Sequence, residues 1–156
     1  MLTSMIKFFF LFLFSMFLFT KNTVAQDSIV FTGKMFDSAR VFYKQKDVPK
    51  YIWEKVFNGS RRGIFIADTG ASYNEGDVAN SDPDERIIFI IKTNGNYILF
   101  YERGGWTQAR ICCFIGIKDN AVEKILRLDV PYDVSTYKEL ERILVGGEYH
   151  IIHREN

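Results

Sequence analysis

Asn94-Gly95 constrains this chain more than any other pair. It separates two apolar runs, Arg86 to Thr93 and Tyr97 to Glu102. Both residues tolerate positive φ, which a tight two-residue hairpin needs, so the flanking runs are expected to pair as antiparallel strands. The same logic extends along the chain. Gly104-Gly105 turns into a long strand over Trp106 to Ile117, and Lys118-Asp119-Asn120 turns into another from Val122 to Val130. Short links between successive strands leave only antiparallel neighbours. Upstream, Ile64-Phe65-Ile66-Ala67 reads as a short buried strand, and a polar loop follows from Thr69 to Glu85. Expected core members are Ile88, Ile90, Ile98, Phe100, Ile111, Cys113 and Ile115.

Helices are expected on either side of this meander. Asp47 can cap a helix with Pro49 in its first turn, apolar stripe Ile52, Trp53, Val56 and Phe57, and Asn58-Gly59 at its end. Thr136-Tyr137-Lys138-Glu139 has the spacing of a capping box. Tyr137, Leu140, Ile143 and Leu144 follow as an inward face, and Gly146-Gly147 stops the helix. Glu148 to His153 reads as a last strand. Ile29-Val30-Phe31 reads as a short first one, and residues 35–43 fit either a helix or a strand. The fold class is α+β: an antiparallel β-meander of about five to six strands, with one helix before it and one near the C-terminus, the helices most simply covering one sheet face.

Ahead of this body lies a leader. Lys7 supplies a charge, Phe8 to Phe19 is nearly all apolar, and Thr23-Val24-Ala25 ends on a small residue. A dozen apolar residues fall short of the about 20 needed to span a bilayer, so residues 1–25 are read as a cleaved signal peptide, not an anchor. Residues 26–156 then form a single α+β domain, secreted or periplasmic. Removing Lys7 and Lys21 takes the net charge from +1 to −1. A basic footprint for nucleic acid is missing, and so is a polybasic run for a membrane surface. Cys112 and Cys113 are adjacent. Neighbouring Cα atoms lie ~3.8 Å apart, below the ~4.4 Å floor of ordinary disulfides, so both are expected to be reduced strand residues.

Three segments carry side chains with chemical potential. Asp68-Thr69-Gly70-Ala71, followed by Ser72, comes straight after an apolar run. It resembles the active-site motif of aspartic proteases, especially the small retroviral type, with Phe114-Ile115-Gly116 similar to the segment that braces the active loop. The resemblance implies a homodimer in which Asp68 from each copy shares a proton and activates water, with Thr69 and Gly70 shaping the loop. The same residues also suit a plain strand-ending turn. The acidic loop offers Asp77, Asp82 and Asp84 as oxygen ligands for calcium, although the EF-hand pattern fails because Glu85 stands where glycine is required. Tyr101, Arg103 and Trp106 flank a glycine turn and are the residue types that anchor interfaces. The alternative is a Tyr101–Trp106 pair across the hairpin. His150 and His153, three apart on a strand, are expected on opposite faces. No cofactor is expected. The reading is an exported, non-catalytic binding or interaction module for a protein or small ligand outside the cytosol; the alternative is a homodimeric retroviral-type aspartic protease built on Asp68.

Overall fold

The computed structural model describes residues 29–57, 66–76, 82–105 and 108–155. The leader, Asn58-Gly59, Ile64, Phe65, Asp77 and Trp106 lie outside the described residues. The chain divides after Val30 into two units, and the elements below belong to the second, Phe31–Asn156.

Among the described residues six strands form one sheet in the order β1-β2-β3-β4-β5-β6, every neighbour antiparallel. They are β1 (Arg40–Phe42), β2 (Glu85–Thr93), β3 (Asn96–Arg103), β4 (Ala109–Lys118), β5 (Ala121–Asp129) and β6 (His150–Glu155). Two turns carry left-handed backbone at both central residues, Asn94 (φ 43°) with Gly95 (φ 87°) and Asp119 (φ 50°) with Asn120 (φ 60°). That is the twist-matched hairpin geometry their side chains favour. The described residues also form three α-helices: α1 (Gly33–Phe36), α2 (Lys50–Val56) and α3 (Tyr137–Gly146). The α+β meander flanked by helices is therefore present.

Both faces of the sheet are apolar, and each is covered. On one, Ile52, Trp53 and Val56 of α2 pack with Ile87, Ile90, Leu99, Tyr101, Ile111 and Cys113. On the other, Phe31 sits edge-on to Phe114, and the buried Leu140, Ile143 and Leu144 of α3 lie beside α1. The expectation of helices on one face is thus corrected. Runs such as Tyr97-Ile98-Leu99-Phe100-Tyr101 alternate nothing polar outward, so either face left bare would expose a continuous apolar surface.

Other corrections are local. Residues 29–32 join no strand. Asp47 does not cap α2; it sits in a 3₁₀ turn, Gln45–Asp47, and Pro49 precedes the helix with extended backbone. The carbonyl of Val56 at the end of α2 accepts instead from the Arg127 guanidinium, a cation placed at the negative end of the helix dipole. The capping box on α3 forms as expected. At its far end Gly147 is left-handed, and Glu148 N–H donates to Ile143 O at 3.0 Å. That bond spends Glu148 on the helix, so β6 begins at His150 and not at Glu148.

Register shifts interrupt three of the described ladders, leaving Ile88, Glu123 and Ile152 as extra residues, and two of them reset the parity of candidate residues. Ile87 pairs with Tyr101 and Phe89 with Phe100, leaving Ile88 as the extra residue; it is half-buried, not core. In β6, His153 pairs with Arg127 and Ile151 with Leu128, so Ile152 is extra. His150 and His153 therefore share a face, opposite the sequence expectation, because a bulge between them shifts the alternation by one.

Candidate functional site

The bulge at Ile88 helps build an open cleft whose lining carries three charged side chains, Arg86, Glu102 and Arg110. In an unbroken strand Arg86 and Ile90 would share a face. The extra residue sends Arg86 to the opposite face, with Glu102 and Arg110 beside it in successive strands (Arg86↔Glu102↔Arg110). Arg86 Nε donates to Glu102 Oε1 at 2.7 Å, and Nη2 approaches the same oxygen at 2.5 Å. Glu102 is only 7% exposed. Burying a carboxylate this far carries a desolvation cost that the Arg86 guanidinium offsets.

Aromatic rings clamp both arginines. The Tyr73 ring lies 4.2 Å from the Arg86 guanidinium and the Tyr132 ring 4.5 Å from that of Arg110. Burial and the nearby Glu102 push the Tyr73 phenol pKa up, so the ring is a neutral stacking partner. Arg110 Nη1 donates to Val134 O, fixing the segment that leads into α3. Its Nε is buried without an acceptor. Among the described residues no carboxylate makes an ion pair with Arg110.

The Asp68-Thr69-Gly70-Ala71 loop closes the third side. Ala67 bridges Arg86 in parallel, with Ile87 N–H donating to Ala67 O, and this brings the loop to the edge of β2. Asp68 Oδ1 accepts the Gln45 amide at 2.7 Å, so this carboxylate caps the 3₁₀ turn before α2. Thr69 Oγ1 donates to Ile88 O at 3.0 Å, satisfying a carbonyl that the bulge frees from the ladder. Gly70 takes φ 78°, a left-handed position. Arg86 Nη1 reaches Ala71 O at 3.3 Å. The result is an open cleft of about 260 Å³ lined by Thr69, Gly70, Arg86, Glu102, Arg110 and Ser135.

The remaining sequence candidates fall elsewhere. Tyr101 is 1% exposed, packed edge-on against Phe57 at 5.7 Å, and cannot anchor a surface contact. Arg103 is exposed and doubly bonded to Glu85. Asp84 accepts from the Asn74 side chain at 3.1 Å, inside a stapled loop in which Asn74 N–H donates to Pro83 O and Gly104 N–H to Asp84 O. Among the described residues no three His, Cys, Asp or Glu side chains converge as metal ligands, Asp82 and Asp84 included. Phe114-Ile115-Gly116 runs inside β4, paired with Ile98 and Tyr97 on one side and Leu126, Ile125 and Lys124 on the other. Cys112 and Cys113 are free, buried thiols on opposite sheet faces. Larger depressions, about 780 Å³ around Gln45–Lys50 and about 560 Å³ beside Tyr51 and Tyr97, contain no buried ion pair.

Sequence reasoning missed Arg86, Glu102 and Arg110 as a group. Each is a charge at the end of an apolar run, which was the available signal. Their convergence depends on register and on the bulge. Compared with family models, with curated proteins and with solved structures, this chain has no significant match.

Proposed function

We propose that this chain is an exported, non-catalytic binding module, and that its ligand sits in the cleft between the 68–71 loop, the Arg86–Glu102–Arg110 row and Ser135. One observation carries the reading: a charged row, with Glu102 buried, lies at the floor of a cleft open to solvent. Charges are costly to hold inside a fold and are retained where they recognise something or fix register. The hydroxyl and carboxylate of the adjacent loop are occupied in holding backbone, Thr69 on Ile88 and Asp68 on Gln45. They supply scaffold to the cleft, not a nucleophile.

Export rests on the leader, with cleavage after Ala25 the expected step. Intact-mass measurement of the extracytosolic protein tests it, with a mature start at Gln26 as the expected result; a chain retaining Met1 in the cytosol removes the compartment. The cleft is tested by backbone NMR of the folded protein during a screen of small neutral, cationic and anionic probes. Shifts confined to residues 69–71, 86–88, 102, 110 and 135 support it. If no probe of any charge moves those amides, the cleft is not a ligand site.

A further inference from the structure

The charge balance of the cleft points to the class of ligand, and this inference rests on the cleft being the binding site. Its lining carries three ionisable groups, Arg86, Glu102 and Arg110. Glu102 is spent on Arg86, which grips one of its oxygens through both Nε and Nη2. Arg110 is left with a main-chain carbonyl, Val134 O, as its acceptor and no carboxylate partner among the described residues. The row is therefore net positive by one charge, and the uncompensated charge belongs to Arg110. The Tyr132 ring stacks on that guanidinium, and the contact to Val134 holds it from a second side. A guanidinium held in one orientation can offer its remaining N–H groups to an oxyanion through charge-assisted hydrogen bonds.

Other groups modulate this charge without cancelling it. Ser135 stands at the start of α3, where the helix dipole is positive. Glu139 turns back onto Ser135 and Thr136 and offsets that end of the helix. Size sets the other limit. A volume of about 260 Å³ is under the ~300 Å³ floor of sites for drug-sized ligands.

We propose that the cleft binds a small oxyanion, a short carboxylate or inorganic phosphate, with Arg110 as its charged anchor.

The test titrates the folded full chain with acetate, succinate and inorganic phosphate. Acetamide, methylammonium and sodium chloride at matched ionic strength serve as controls, and amide shifts at Gly70, Glu102, Arg110 and Ser135 are the readout. At least one oxyanion is expected to shift these amides saturably, at least tenfold more tightly than acetamide. The carboxylate and phosphate arms show which source the cleft prefers. Arg110→Gln is expected to weaken binding by tenfold or more, and Arg110→Lys, which keeps the charge, by less. Because Arg110 also holds Val134, the comparison of acetate with acetamide on the unaltered protein stands even if the variants fail to fold. Acetamide or methylammonium moving these amides while oxyanions do not would overturn the oxyanion assignment and leave the cleft as a binding site. Oxyanions acting no differently from chloride would overturn it too. Silence from every probe removes the cleft and the ligand class together.

Discussion

Asp68 accepts the Gln45 amide, and that bond decides what its replacement does. Asp68→Ala leaves the first amide of the 3₁₀ turn without its acceptor and should cost about 1 kcal/mol, the usual scale of a lost side-chain cap. Asp68→Asn keeps an oxygen in place and should cost less than half as much. Urea midpoints of the two variants measure the difference. If the aspartic protease reading held instead, a peptide-hydrolysis activity would be present and Asp68→Asn would abolish it, a result opposite in sense to near-neutral stability. Gly104 is a second residue whose identity is dictated by space. A Cβ there would fall 1.8 Å from Asn74 O and within 3 Å of two further backbone atoms. Gly104→Ala must therefore push the 73–76 segment away from the sheet. The expected loss is about 2 kcal/mol or more, in the range of overpacked sites, with amide protection lost first at Asn74 and Gly105, whose N–H groups bond Pro83 O and Glu75 O. Protection equal to the parent chain at both amides would show that the close approach is relieved elsewhere.

At the scale of elements, the helix most legible in the sequence is also the one with a pH signature. Hydrogen bonds from Ser135 and Thr136, chief among them their two main-chain amides, hold the Glu139 carboxyl down to about 2. An unfolded glutamate titrates near ~4.3. The native state thus binds the proton less readily than the unfolded chain, and the contribution of this group is present above about pH 5 and lost as pH falls toward 2. Urea midpoints followed from pH 6 to pH 2 should fall more steeply for the parent than for Glu139→Gln, and parallel curves would remove Glu139 as the cause. That α3 was legible, while the row Arg86, Glu102 and Arg110 was not, has a physical origin. A capping box and an Asn-Gly turn are satisfied by residues a few positions apart, so their chemistry is local. A bulge inside Ile87-Ile88-Phe89-Ile90-Ile91 has no local signature, because every residue in the run is apolar and parity cannot be read from it. The face on which Arg86 emerges, and hence the cleft, is decided by which residue of β3 it meets. The same blindness misplaced His150 and His153, and it turned Tyr101 from an apparent surface anchor into core.

Across the whole molecule, one sheet separates two helix layers, and adjacent cysteines report on each. Cys112 and Cys113 point to opposite faces and are both fully buried. Burial pushes both thiols up, Cys113 to about 12 despite the opposing pull of Arg127. Only the thiolate reacts, so neither should be alkylated in the native state at pH 8. An unfolded thiol ionises near ~8.5. The native protein keeps its proton longer, so the linked stability is intact below that pH and declines as pH rises from it toward 12. Labelling kinetics in increasing urea then distinguish two architectures. If the layers and the sheet open together, both cysteines label at one rate that follows global unfolding. If one layer lifts first, its cysteine labels ahead of the other: Cys113 where α2 departs, Cys112 where α1 and α3 depart. Loss of one cover exposes a continuous apolar sheet face to water, so the two layers are bound to a common fate and a single rate is expected. Mass spectrometry of partially labelled protein checks this directly, since all-or-none modification of the pair supports joint opening and an accumulating singly labelled species contradicts it.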